Sequence, residues 1–213
     1  MNSETPLVEN TWFDHAFSST PVMAILRGMG PERSVELATT AWDLGIDSVE
    51  LPLQSDEDHA ALREVSRLGA ERGKSVGAGT IIRADQLHAA KEAGAEYLVS
   101  PGYDEGLIRA AAQESLPFLP GVTTPSELQA ATTLGLTWVK AFPAHWLGAS
   151  WFSLIRGPFP HVNFVATGGM NAHNAQEFLD AGVAVVAVGS ALEDPEQLKL
   201  LAAQVKKNAL RPE

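Results

Sequence analysis

A chain of 213 residues that is 45% hydrophobic is long enough to bury one sizeable core, and it falls in the size range of a single α/β domain. Fifteen lysines and arginines against 26 aspartates and glutamates leave a formal net charge of -11. That balance argues against broad attachment to nucleic acid or to an anionic membrane, and an anionic ligand would need a local positive site. There is no cysteine, so disulfides and thiolate metal sites are excluded. The polar, acidic start and the lack of any run of ~20 apolar residues point to a soluble, cytoplasmic protein.

In chain order, residues 1–20 stand apart as an N-terminal segment with an accessory helix around 11–17, and residues 21–213 carry a repeating pattern. Val22-Met23-Ala24-Ile25-Leu26-Arg27-Gly28 reads as a buried strand that ends in a charge. Pro31 opens a helix to about residue 44, which Gly45 stops before a strand at 46–51. Further strands are expected at 75–78, 96–100, 116–119, 136–142, 162–166 and 183–188. Helices are expected between and after them at 57–72, 84–93, 105–114, 125–134, 147–156, 172–181 and 195–205. Gly45, Gly73, Gly94, Gly135 and Gly182 recur where helices should end.

Eight strand and helix units in about 190 residues predict a single (β/α)8 TIM barrel at the compact end of its range, with a doubly wound sheet as the rival. Arg27, Glu50, Thr80, Ser100, Lys140, Thr167 and Ser190 all fall at or just past strand C-terminal ends. In a barrel those ends share one mouth, and that favours the barrel.

Leu136-Thr137-Trp138-Val139-Lys140-Ala141-Phe142-Pro143-Ala144 places a lone lysine in an apolar strand. With a period of two, Trp138, Lys140 and Phe142 share one face, and Pro143 closes the strand. Desolvation lowers a lysine's pKa and raises the neutral fraction able to attack a carbonyl as a Schiff-base amine. The plainer reading is a lysine whose stem covers the core while its head stays in water. Lys91, Lys199, Lys206 and Lys207 lie in helical patterns and Lys74 precedes its strand, so Lys140 is the lysine placed for covalent chemistry. Ser48 and Glu50 share a face of the second strand opposite Val49 and Leu51, which sends Glu50 into the barrel. There it could shuttle protons, or simply pair with Arg27 or Lys140 in a structural network.

Thr167-Gly168-Gly169-Met170-Asn171 follows the seventh strand and is expected to open a helix, and Gly189-Ser190 follows the eighth. Together they offer unhindered backbone amides suited to phosphate, where either glycine turn alone would be ordinary. Gly77-Ala78-Gly79-Thr80 and Ser100-Pro101-Gly102 are small enough to leave room for a ligand, and Thr80 adds a hydroxyl. His15, His59, His88, His145, His161 and His173 show no spacing suited to a metal, so no metal or other cofactor is expected. His145 reads as an exposed loop residue near the mouth. Trp146, Trp151 and Phe152 read as core packing, with subunit contact as the alternative.

These motifs, taken in order, resemble the 2-keto-3-deoxy-6-phosphogluconate (KDPG) aldolase family, with its 6-phosphogalactonate (KDPGal) and 4-hydroxy-2-oxoglutarate branches. The resemblance runs from Ala24-Ile25-Leu26-Arg27-Gly28 through Val49-Glu50-Leu51-Pro52-Leu53, Pro120-Gly121-Val122-Thr123-Thr124 and Val139-Lys140-Ala141-Phe142-Pro143-Ala144 to Gly189-Ser190. It implies a metal-free class I aldolase, a homotrimer, splitting a phosphorylated keto acid into pyruvate and glyceraldehyde 3-phosphate. By the same resemblance Lys140 forms the Schiff base and Glu50 is the general acid/base. Thr80, Pro101 and Phe142 line the pyruvate pocket, Gly168, Gly169, Gly189 and Ser190 hold phosphate, and Arg27 meets substrate anions. Gln54 stands where the gluconate branch has an arginine four residues after the catalytic glutamate, and the galactonate branch has an uncharged amide there. A phosphate-binding barrel isomerase and a non-catalytic phosphosugar-binding protein are the alternatives weighed against this reading.

Overall fold

Short apolar runs separated by glycine-stopped helices fold into strands that all point the same way. The computed structural model describes residues 8 and 10–209, so residues 1–7 and 9 of the N-terminal segment and residues 210–213 of the barrel segment lie outside the described residues. The chain opens with α1 (Trp12–Ala16), β1 (Val22–Ile25), α2 (Gly30–Asp43), β2 (Ser48–Pro52), α3 (Asp56–Arg72) and β3 (Ser75–Gly79). It continues through α4 (Asp85–Glu92), β4 (Tyr97–Val99), α5 (Glu105–Gln113), β5 (Phe118–Leu119), β6 (Gly121–Val122), α6 (Pro125–Thr133) and β7 (Trp138–Ala141). After these come α7 (Ala144–Leu147), α8 (Ala149–Ile155), β8 (Asn163–Thr167), α9 (Ala175–Asp180), β9 (Val185–Val188) and α10 (Pro195–Ala209), with a 3-10 turn at Ser190–Glu193 before α10.

Every strand pairing is parallel, in the order β5-β4-β3-β2-β1-β9-β8-β7-β6. The two ends of that order are consecutive pieces of one segment, parted only by Pro120. The first piece pairs with β4 and the second with β7, so residues 118–122 form the fifth stave and close a (β/α)8 barrel. The strand expected at 116–119 stops short of this proline, which cannot donate to a ladder. The strand continues because proline still accepts: Ser100 N–H donates to Leu119 O at 3.1 Å and Lys140 N–H donates to Pro120 O at 2.8 Å.

Strand alternation sorts the core into two layers. Met23, Ile25, Tyr97, Val99, Leu119, Trp138 and Val165 fill the barrel, while Val49, Leu51, Val139 and Ala141 pack outward among the helices. On β7 this is the division that period two predicts. The bottom of the barrel is sealed by α1. Phe13 and Phe17 join the inner layer and stack at 5.6 Å, Phe13 meets Tyr97 edge-on at 5.7 Å, and Trp138 Nε1 donates to Asp14 at 2.7 Å. Ser48, on the same face as Glu50 but lower, donates to Ala16 O at 3.4 Å.

Three further elements depart from the sequence reading. The first strand ends at Ile25, leaving Arg27 beyond it. The helix expected at 147–156 is split into α7 and α8, because Gly148 at φ 74°, ψ 157° interrupts the helical path. The helix expected at 172–181 begins only at Ala175, because side chains intercept the backbone donors. Asn171 Oδ1 accepts from the N–H groups of His173 and Asn174, and Asn174 Oδ1 accepts from Asn171 N–H. Among the described residues no helix is long and apolar enough to cross a membrane.

Asn10 ties the bottom of the barrel together beside the closure. Its amide donates to Phe118 O at 3.2 Å and Trp138 O at 2.8 Å and accepts from the N–H groups of Thr137 at 3.0 Å and Trp138 at 3.2 Å. It is 1% exposed, so water cannot replace these bonds freely. Asn10→Ala is expected to lower the unfolding free energy by about 2–4 kcal/mol, since buried backbone groups on two staves lose their partner. Urea denaturation measures this, and a loss below about 1 kcal/mol would mean that other groups or water satisfy them.

Candidate active site

The site is built on β2 and β7, where two strands carry one ionisable residue each into the barrel. Glu50 is fully buried and Lys140 is 3% exposed, and Lys140 Nζ lies 3.9 Å from Glu50 Oε1. Phe142 turns its ring toward the amine, with Nζ 5.4 Å from the centroid. Neither Glu50 oxygen has a hydrogen-bond partner in the protein, nor does the buried Thr167 hydroxyl. Buried polar atoms without partners are rare, and these belong to β2 and β8, two strands of the one barrel. Burial pushes the Lys140 ammonium below the usual lysine value; the Glu50 carboxylate opposes this and the Arg27 charge adds to it.

The position of Glu50 depends on a missing side chain. A Cβ on Gly79 would lie 1.9 Å from Glu50 Oε1, and one on Gly77 would lie 2.3 Å from the Tyr97 ring. The sequence reading assigned this small-residue stretch to ligand space. The volume is taken instead by the protein's own carboxylate and phenol. Tyr97 went unnoticed in the sequence, although alternation along the fourth strand sends it inward. Its hydroxyl donates to Val49 O at 2.9 Å, directly before Glu50. Burial, and then the charge on Glu50, push its pKa well above the usual phenol range, so it remains a donor.

The Pro101 backbone makes a similar approach: a Cβ on Gly121 would lie 2.1 Å from Pro101 O, and Gly121 is the register partner of Lys140. Thr123, part of a motif that carries the resemblance but given no role there, donates its hydroxyl to Phe142 O at 2.7 Å and fixes the backbone beside the lysine strand.

A cavity of ≈ 390 Å³ opens at the mouth between Arg27, Phe142, Thr167, the Gly168-Gly169 pair and the Gly189-Ser190 pair. Gly168 has φ 95° and Gly169 φ 77°, and a Cβ at either would meet Phe142 at 3.1 Å or His145 at 2.6 Å. The amides come from loop backbone rather than from the start of a helix, because α9 begins only at Ala175. Glu193 borders the same cavity as an opposing charge. Thr80 and Gln54 belong to a neighbouring cleft of ≈ 350 Å³, and Arg27 stands between the two cavities, donating from Nη1 to Gln54 Oε1 at 3.2 Å. His145 is exposed on α7 beside this loop, and its N–H donates to Gly168 O at 3.0 Å. Phe152 is buried as read, but Trp146 is 87% exposed and does not pack in the core. Among the described residues there is no group of three or more His, Cys, Asp or Glu placed to hold a metal.

Residues 13–206 match the family described as KDPG and KHG aldolase. A probable 2-dehydro-3-deoxy-6-phosphogalactonate aldolase of Rhizobium meliloti (strain 1021) is 32% identical over 176 residues, 82% of either chain. The KHG/KDPG aldolase of Escherichia coli (strain K12) is 34% identical over 160 residues, 75% of this chain and 74% of that one. In three dimensions the chain resembles a KDPG aldolase from Legionella pneumophila, solved with pyruvate captured as a covalent carbinolamine intermediate. The TM-score is 0.77 at 31% identity, covering 90% of this chain and 95% of that one.

Because Gly79 does not adopt a positive φ, an alanine there meets a purely steric objection from Glu50. Gly79→Ala is expected to cost ~1–3 kcal/mol in stability as the carboxylate is forced aside. Gly102→Ala, whose Cβ would meet nothing within 4 Å, is expected to stay within about 0.5 kcal/mol of the parent. Denaturant midpoints of the two variants compare the sites directly, and equal midpoints would show that Glu50 moves away without cost.

Proposed function

The chain belongs to the KDPG and KHG aldolase family of carbon–carbon lyases, and from that membership we propose a class I aldolase in which Lys140 forms the Schiff base and Glu50 moves the protons. The substrate is a 2-keto-3-deoxy-6-phospho sugar acid, and the products are pyruvate and glyceraldehyde 3-phosphate. The observation that carries the assignment is the pair itself: a desolvated lysine with a lowered pKa, 3.9 Å from a buried carboxylate that has no hydrogen-bond partner in the protein.

The neutral Lys140 amine attacks the C2 ketone, and loss of water with uptake of one proton leaves an iminium, a proton that the final hydrolysis gives back. Glu50 takes the proton of the C4 hydroxyl, the C3–C4 bonding electrons flow into the iminium, and the aldehyde departs from an enamine. Glu50 then returns a proton to C3, and hydrolysis of the new iminium releases pyruvate and restores the amine. Each proton removed is returned by the same carboxylate, so the reaction as written needs neither metal nor cofactor.

Thr80, Pro101 and Phe142 are proposed to line the pyruvate end, with Arg27 meeting the substrate's anionic groups. The cavity at Gly168, Gly169, Gly189 and Ser190 takes the phosphate; its loop amides and Arg27 support this, and the chain's net negative charge acts weakly beyond a Debye length. An isomerase or a non-catalytic binding protein would leave the Glu50–Lys140 pair without a use. The proposal extends to a cytoplasmic homotrimer. The exposed apolar side chains of Ile82, Trp146 and Leu154 are consistent with a subunit contact.

Borohydride is expected to trap pyruvate on Lys140, found by mass spectrometry of the labelled peptide, and Lys140→Ala should abolish both trapping and cleavage. The neutral amine fraction grows with pH, so the trapping rate should rise through a midpoint below the ordinary 10.5. Glu50→Gln removes the charge that raises the lysine's pKa, which moves the midpoint lower still. The same variant should lose ~100-fold or more in turnover while still forming the imine. Labelling at another residue would overturn the assignment of Lys140, and parental turnover in Glu50→Gln would make Glu50 structural.

Gln54 bears on which substrate is cleaved. An amide cannot supply the charge and bidentate fork of an arginine, so recognition there leans on hydrogen-bond geometry. Cleavage of the phosphogalactonate compound is expected to be at least as efficient as cleavage of its phosphogluconate epimer. Comparison of kcat/KM for both epimers in the parent and in Gln54→Arg tests this. A strong gluconate preference that Gln54→Arg leaves unchanged would remove Gln54 from substrate selection.

A further inference from the structure

Gln86 shares a cleft with Gln54 and Thr80, and its amide is bonded to capacity by backbone groups alone. It lies in the first turn of α4, is 5% exposed, and makes four hydrogen bonds, as many as a primary amide can. Its Oε1 accepts from Ile82 N–H at 2.9 Å and Arg83 N–H at 3.0 Å. Its Nε2 donates to Leu53 O at 3.0 Å and Thr80 O at 3.1 Å. All four partners are backbone groups of the segments that follow β2 and β3, so one side chain joins two loops of the mouth. Leu53 precedes Gln54, and Thr80 shares a cleft with Gln54.

Thr80 needs such a hold. It has φ 59°, a left-handed conformation in which a β-branched residue is crowded by its own backbone, and such strain persists only where the surroundings enforce it. Neighbouring residues are pinned by the ladder, with Leu53 N–H donating to Gly79 O at 2.9 Å and Ile81 N–H to Val99 O at 3.0 Å. The Thr80 carbonyl itself is held by Gln86.

We infer that Gln86 is a positioning residue for the aldolase reaction: it locks Thr80 in the left-handed conformation and sets its spacing from Gln54 on the lip of the keto-acid pocket. The inference rests on the proposed function, because Thr80 matters to turnover only if that pocket takes pyruvate. Gln86 acts through Thr80 on binding and leaves the Glu50–Lys140 pair undisturbed.

The test measures the pyruvate concentration that gives half-maximal borohydride trapping on Lys140, in Gln86→Met, Gln86→Glu, Thr80→Ala and the two double variants. Gln86→Glu keeps the size and both acceptor bonds and turns a charged carboxylate oxygen, instead of the donor, toward the Leu53 and Thr80 carbonyls, so it gives a second readout if Gln86→Met does not fold. Each Gln86 variant should raise the half-saturating concentration about 10-fold or more, with the pH midpoint of trapping unchanged. In the Thr80→Ala background the same changes should add less than about 2-fold, the signature of two residues working as one unit. Parental affinity in Gln86→Glu, a shifted pH midpoint, or penalties that multiply in full with Thr80→Ala would each overturn the inference while leaving the aldolase reading intact. A parent protein that traps no pyruvate would overturn that reading and the inference with it.

Discussion

Removing an amine and a carboxylate from water in the same apolar barrel is the constraint on which the rest of this structure depends. Each ion loses several kcal/mol of hydration on burial, and attraction across 3.9 Å returns only part of it because neither Glu50 oxygen makes a hydrogen bond within the protein. The pair is therefore a poor device for stability. The desolvation that makes it so is also what lowers the lysine's pKa and frees its lone pair. The remaining elements keep that environment dry from below and open from above. Phe13, Phe17, Tyr97 and Trp138 fill the barrel's base, and the mouth is left to small residues and loops.

Glycine placement follows from the same constraint. A (β/α)8 barrel has an interior just wide enough for side chains to fill, so a carboxylate can enter only where another strand withdraws. Gly79 withdraws for Glu50, Gly77 for Tyr97, and Gly121 for the backbone of Pro101. Gly168 and Gly169 serve a different need, because their positive φ turns a loop under Phe142 and His145 at the edge of the cavity. Two kinds of glycine thus look alike in the sequence. One kind yields volume to the protein itself, and the other shapes a turn at the rim of the cavity.

Two buried amides hold the ends of the barrel. At the bottom Asn10 bonds the fifth stave, which Pro120 divides, to the neighbouring β7 segment. At the mouth Gln86 bonds across the loops that follow β2 and β3. Asparagine and glutamine suit both places because one planar group supplies donors and acceptors together, with no charge to desolvate.

Features that depend on neighbours along the chain are legible in the amino-acid order. Period two placed Glu50 and Lys140 on inward faces, and glycines such as Gly73, at φ 64°, ended helices where they were expected to. A lone lysine in an apolar strand was a signal that local chemistry could interpret. Tertiary structure decided what depends on segments far apart. The separation of Glu50 from Lys140 is set by barrel closure through a proline-broken stave, and the space beside Glu50 is set by a glycine on the next strand. Thr80 belongs with Gln54 rather than with the glycine loops, Trp146 is exposed rather than packed, and Asn171 and Asn174 delay the helix that Gly168-Gly169 was expected to open. The physical reason is common to all of these. A strand pattern fixes the side of the sheet on which a residue lies, whereas its neighbours across the barrel follow from the register and closure of eight staves, which no local window contains.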